Sequence, residues 1–422
     1  MEKSLTAALK QISEERRRTA QAAAPAPVSV PALSKHRFLA LDSWRGICAL
    51  LVVIYHFPAD NFLSNNRFMN AGFLAVDFFF VLSGFVIASA YTTKLGTTAQ
   101  IKRFVFVRFG RLYPLHLFMI AAIAAFELLR MAVPQLVGGG VPPFTGGTNL
   151  RSLVTNLLLI HGWGFESDLT WNAPSWSIST EFFAYLYFAL VFGILGRALR
   201  MPVLIALIVI GPLVLVLFSP SYMDASVHYG LIRCLFGFSL GVVLYRLAGG
   251  EIGRARHAMD ANGISRTAAT GWSAAEIVVV ALVIAFMTRF GVTPVGIASP
   301  FLFALAIYVF AHEGGLVSAL LLRRPMIFLG AISYSLYMVH TFVQSRIINI
   351  VNFIDRRSHL GLAGDVDVHG LTQIGLAPGK PAIGLALTFA MVATVIFAAG
   401  LTWRFIEMPA LDWFRRKAKT IG

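Results

Sequence analysis

Residues 39–57 read LALDSWRGICALLVVIYHF, an apolar run carrying Asp42, Arg45 and His56. It is long enough to cross hydrocarbon: about 20 mostly apolar residues span the roughly 30 Å core of a bilayer. Working outward by the same measure predicts nine more spans, near 71–92, 112–133, 175–196, 201–218, 229–247, 272–288, 294–312, 326–345 and 382–403. The stretch 152–162, SLVTNLLLIHG, is apolar but too short to span and reads as a partial or interfacial helix. The fold class expected is therefore all-α, a polytopic transmembrane helix bundle of about ten spans.

Composition points the same way. Of 422 residues 57% are hydrophobic and only 13% charged, against about 45–50% apolar and about 25% charged in soluble domains. A soluble globular enzyme and a disordered chain are both excluded. The net charge of +15 argues topology rather than nucleic acid. With the N-terminus in the cytoplasm, 25 of the 35 Lys and Arg residues fall in predicted inside segments, as the positive-inside rule requires. Both termini are thus expected inside, in an inner or plasma membrane. Cys48 and Cys234 both lie in apolar runs and make neither a disulfide framework nor a cysteine zinc site. Residues 1–37 combine Glu14-Glu15-Arg16-Arg17-Arg18 with an Ala/Pro stretch and read as a cytoplasmic tail and linker, not a signal peptide. Residues 38–422 form the membrane domain.

Charges inside spans are costly and by default serve function. Arg45 and His56 stand eleven residues apart, about 20° from a whole number of helical turns and about 16 Å along the axis. They share one stripe. A neutral imidazole there can act as general base toward an alcohol, or it can be satisfied by a polar neighbour. Arg108 and Arg111, in KRFVFVRFGRLYPLH, share a helical face and can grip phosphates; ordinary membrane anchoring is the plainer reading, and fits Lys102 and Arg103 better. Glu181, flanked by Trp176, Ser177 and Ser179, either orients the imidazole, binds a sugar hydroxyl, or pairs with Arg233. His340 is a weaker site candidate that reads first as a core histidine, and for Asp77, near the outer end of its span, interfacial capping competes with a functional role; Asp77, Trp176, Ser177, Arg233 and His340 are thus acceptor or structural candidates. The loop 346–381, with Asp355, Asp365 and Asp367, lines an acceptor site or caps the bundle.

Two motif matches are refused. Gly237-Phe-Ser239-Leu-Gly241 fits G-x-S-x-G, but a nucleophile elbow needs a strand and a sharp turn, whereas these residues sit in a helical span and suit close helix packing. His56-Phe-Pro-Ala-Asp60 is one residue short of an H-x4-D box. No histidine spacing suggests a metal site.

Six segments taken together, LDSWRGICALLVVIYHF, GFLAVDFFFVLSGFVIA, RFGRLYPLH, PSWSISTEFFAY, SYSLYMVH and FIEMPALDWF, resemble the acyltransferase-3 family of integral membrane O-acyltransferases. The resemblance implies a bundle of about ten helices moving an acyl group, commonly acetyl, from acyl-CoA to a hydroxyl. The acceptors implied are exopolysaccharide, lipopolysaccharide or other lipid-linked glycans, and sometimes macrolides. It places the family's R/K-x10-H motif on Arg45 and His56, the histidine being catalytic. Its RxxR motif falls on Arg108 and Arg111 as donor contacts, and its tryptophan–serine–glutamate stretch on Trp176, Ser177 and Glu181. No cofactor beyond the co-substrate is implied, and the esterase-like domain some members append is not expected. A transporter or flippase of lipid-linked glycans is the rival from another class; paired broken helices would favour it.

Overall fold

The computed structural model describes residues 38–133, 142–262 and 266–421; the tail and linker expected over 1–37 lie outside them. Leu39–Gly422 forms one compact unit. Its chain runs through α1 (Leu39–Tyr55), α2 (Ala75–Tyr91), α3 (Thr98–Ala132), α4 (Leu150–Leu157), α5 (Trp176–Ala189), α6 (Arg197–Phe218), α7 (Gly230–Asn262), α8 (Arg266–Phe290), α9 (Ser299–Phe310), α10 (Arg324–Ala331) and α11 (Ser333–Ser358), then β1 (Ala363–Val368), β2 (Leu371–Leu376), α12 (Pro381–Thr402) and α13 (Met408–Ala418). The molecule is a helical membrane bundle.

Among the described residues seven helical stretches are long and apolar enough to cross a membrane: Gly72–Tyr91, Thr98–Ala132, Ala173–Ile194, Arg197–Phe218, Gly230–Met259, Arg266–Phe290 and Pro381–Ala418. These answer to seven of the ten expected spans. The other three are short or broken. α1 has 17 residues, because Pro58 disfavours helix at the residue before it and the chain turns away. Pro294–Phe310 is a shorter apolar helix, and 326–345 is split into α10 and α11, bent by 66°; counting that pair as one span makes eight. The short stretch at 152–162 appears as the eight-residue α4.

The helices divide by what they face. α6 and α8 leave most of their apolar length exposed, with Leu213, Leu217, Val278 and Leu282 outward, as lipid-facing helices do. α2 and α7 pack most closely of all. A Cβ on Gly84 would fall 2.0 Å from the Phe238 carbonyl oxygen, and one on Gly241 1.9 Å from the Val81 oxygen. Between helices in lipid, such backbone approach supplies the dispersion contacts that hydrophobic burial supplies in water. The G-x-S-x-G match is therefore a packing seam.

The all-α expectation needs one correction. β1 and β2 form an antiparallel hairpin with Val368 opposite Leu371, closed by His369 (φ 57°) and Gly370 (φ 77°). Two successive positive φ values are what a type I′ hairpin turn demands. The hairpin is pinned to the chain just past α1: Asp60 N donates to Leu376 O (3.0 Å) and Leu376 N to Pro58 O (2.8 Å). Asp355 holds its entry by accepting from Leu362 N (2.8 Å) and Ala363 N (3.2 Å). Of the two readings of loop 346–381, its Asp355 and Asp367 serve the hairpin itself, Asp367 accepting from Thr372 at 2.6 Å.

Candidate active site

α1 carries both ends of the site. Near its start Arg45, 3.7 Å from Asp42, lines a cleft together with Ser83, Arg108, Arg111, Glu181 and Tyr337. At its end His56 is exposed. Its Nδ1 donates to the Val52 carbonyl at 2.8 Å, since a carbonyl can only accept. In the neutral ring this leaves the lone pair on Nε2, which has no hydrogen bond among the described residues. The tautomer is the one a general base requires.

His340 brings a second imidazole to the first. The ring centroids of His56 and His340 are 5.1 Å apart. His340 is fully buried, its Nδ1 donates to Tyr337 O at 2.6 Å, and its Nε2 has no partner. The Tyr337 ring lies 5.8 Å from His340 and its hydroxyl 2.9 Å from Ser177 Oγ. That contact stands between the basic cleft and the histidine pair.

The two arginines of the RxxR stretch sit together on α3, which Thr97 and Gln100 cap reciprocally, but their surroundings differ. Arg108 donates to the Tyr91 hydroxyl (3.2 Å) and lies over the Tyr91 and Tyr185 rings. Its Nε is buried without a partner, and among the described residues it forms no ion pair, the carboxylate that lines the cleft, Glu181, being bonded to Ser83 and Tyr185. Arg111 is bound to the buried carboxylate of Glu407, which also accepts from Ser335 Oγ at 2.6 Å. The two guanidiniums of the expected phosphate grip therefore differ, Arg108 forming no ion pair among the described residues and Arg111 being paired with Glu407, while both line the cleft. The FIEMPALDWF segment supplies that partner.

Glu181 does neither of the jobs the sequence suggested for it beside sugar binding. Its Oε1 accepts from Ser83 Oγ (2.7 Å) and the Tyr185 hydroxyl (2.5 Å). It therefore does not orient His56, whose Nδ1 is held by its own helix. Nor does it pair with Arg233, which belongs to Asp77. Arg233 Nε and Nη2 donate to the two Asp77 oxygens at 2.8 and 2.7 Å, and further bonds go to Ala225 O and Phe73 O. Both residues are essentially inaccessible, so Asp77 is a core ion-pair partner rather than an interfacial cap. Trp176 covers the Arg233 guanidinium at 5.6 Å.

Two site neighbours escaped sequence reasoning. His369, at the hairpin tip, stacks on Tyr55 at 4.2 Å and donates from Nε2 to Tyr55 O at 2.8 Å; its Nδ1 lies 3.2 Å from the Asn70 side chain. Burial lowers the His369 imidazole below its ordinary pKa, which keeps the tip neutral near pH 7. Asp224, in the exposed loop before α7, lies within electrostatic reach of Tyr55, His56 and His369. Only His369 had a usable signal: His-Gly between the alternating DVDV and LTQI reads as a two-residue hairpin turn.

A helical membrane bundle with an arginine-lined cleft near the start of α1 and a histidine with a free Nε2 at its end is an arrangement that suits an integral membrane transferase. The chain belongs to the acyltransferase-3 family: the family profile described as "Acyltransferase domain" matches residues 38–404. It is similar to Acyltransferase MdmB of Streptomyces mycarofaciens, 28% identical over 407 residues, 90% of this chain and 93% of that one. It also resembles the O-acetyltransferase OatA of Staphylococcus aureus, 24% identical over 71% of this chain and 49% of the relative. The peptidoglycan O-acetyltransferase OatA of Listeria monocytogenes is 26% identical over 48% of this chain and 33% of the relative. No solved structure matches. The protein is an O-acyltransferase of membranes, and the transporter reading gives way to it.

Proposed function

We propose that the protein transfers an acyl group, acetyl in the first place, from acyl-CoA to a hydroxyl of a glycan or lipid-linked glycan in the cell's inner or plasma membrane, with both termini on the cytoplasmic side. The single observation that carries this is α1 itself. One helix links a cleft holding Arg45 and Arg108 to a histidine whose Nε2 is free. The names of the OatA relatives, O-acetyltransferases, one of them of peptidoglycan, favour a sugar hydroxyl as acceptor.

In this scheme the CoA phosphates meet Arg108 and Arg45 while the thioester points along the cleft. His56 Nε2 takes the proton of the acceptor hydroxyl as its oxygen attacks the thioester carbonyl. The new C–O bond forms, the C–S bond breaks, and the imidazolium returns its proton to the departing CoA thiolate. Transfer in two steps through an acyl-imidazole uses the same atom. Asp224 and the hairpin tip form the acceptor side of His56.

The test is to incubate membranes with labelled acetyl-CoA and follow label into glycan. Arg108→Ala is expected to raise the KM for acetyl-CoA by about tenfold or more, the worth of a charge-assisted hydrogen bond, with the acceptor KM unchanged. An unchanged donor KM removes the phosphate contact, and label that never leaves acetyl-CoA removes the transferase reading.

A further inference from the structure

We infer that His340 is a positioning residue that shares the proton His56 takes from the acceptor. The inference deepens the proposed function and rests on it.

The two imidazoles are held alike. Each donates from Nδ1 to a carbonyl of its own helix, Val52 O for His56 and Tyr337 O for His340. Each ring is thereby locked in one tautomer, with Nε2 as the basic nitrogen. The difference is access: His56 is exposed, whereas His340 is buried with Nε2 unsatisfied. A buried polar atom without a partner is costly in a packed bundle. His340 Nε2 is an acceptor with no donor in the resting site, and the ring 5.1 Å away is the one that gains an N–H during the reaction. Once His56 becomes imidazolium, the pair forms a charge-assisted hydrogen bond that does not exist before proton transfer. Interactions present only at that stage lower the barrier.

The groups facing the pair leave this role to His340. From α1 there is Tyr55, its ring against His56 at 4.9 Å. From the hairpin there is His369, whose Nε2 is spent on Tyr55 O. From α11 there are Tyr337, bonded to Ser177, and Gln344, which donates to Val53 O. Asp224 is the one carboxylate among the described residues within electrostatic reach of His56, and it acts from the exposed loop before α7. The balance is simple: the acceptor O–H proton moves to His56 Nε2, is held between the two rings, and leaves with the CoA thiol. No other reactant is needed.

The experiment compares wild type with His340→Leu, His340→Gln and His340→Asn, using labelled acetyl-CoA and membranes containing the native glycan. His340→Leu should lower kcat about tenfold or more and leave the KM for acetyl-CoA within twofold. The acid limb of its kcat/KM profile should move about one unit lower, because a base without its hydrogen-bond acceptor is weaker. Glutamine, whose amide oxygen reaches the place of Nε2, should restore the limb; asparagine, whose oxygen stops at the place of Nδ1, should not. Wild-type profiles in the leucine variant overturn the inference. Should that variant fail to accumulate, identical profiles for glutamine and asparagine overturn it. Full activity in His56→Ala would instead sink the proposed function itself, so the two failures are distinguishable.

Discussion

Replacing His56 by alanine should leave the protein in the membrane at normal abundance and cut acyl transfer by about a thousandfold, the middle of the range for loss of a general base. The stability half of the expectation follows from the contacts. His56 is exposed, lies just beyond the last residue of α1, and its side chain's one hydrogen bond among the described residues runs to its own helix. Its removal opens no sealed cavity, and the close approaches that hold the bundle, such as Gly84 against Phe238, are remote from it. The activity half follows from Nε2. Among the ring nitrogens gathered at the end of α1 it alone combines accessibility with an unengaged lone pair: His340 is buried, and His369 has its Nε2 on Tyr55 O and its Nδ1 against the Asn70 side chain. The measurement is label transfer from acetyl-CoA in membranes normalised to the amount of protein. Activity above about a tenth of wild type would place the chemistry elsewhere, since a base worth less than tenfold falls below the ordinary contribution.

The spans were legible because apolar length is a local property of sequence. Seven of the ten expected stretches appear as helices able to cross a membrane, and the alignment of Arg45 with His56 needs only helical periodicity. What one helix shows its neighbours was not legible. Spacing says which side chains share a face, not which element comes to meet them. Arg111 looked like a free guanidinium because its carboxylate, Glu407, lies 296 residues away. Glu181 was the partner the sequence offered Arg233, and that Asp77 takes the place depends on how α2 packs against α7, a backbone approach set by Gly84 and Gly241. The hairpin was missed for another reason. Its strands are six residues each, too short to stand out by hydropathy, and the two-residue His-Gly turn is the one local signal they leave. Its consequence for the site is large, because it places His369 on the carbonyl that ends α1.

Breaking the Asp77–Arg233 pair from one side should be the most destabilising single change in the site. Asp77→Ala leaves a guanidinium that is 2% exposed at its side chain with no counter-charge, and an uncompensated buried charge costs about 3–5 kcal/mol. The carbonyls of Ala225 and Phe73 still accept from it, yet neither supplies negative charge. The pair as a whole is worth much less, because two ions taken out of water lose in solvation most of what their attraction returns. A double variant, Asp77→Leu with Arg233→Met, should therefore be more stable than Asp77→Ala alone, although it removes one more polar group. Thermal unfolding of the purified protein in detergent, followed through the double-mutant cycle, measures this directly. Equal unfolding of Asp77→Ala and wild type would mean that the cation finds other compensation. A double variant less stable than both single ones would show the ion pair to be a net source of stability, against what its burial implies.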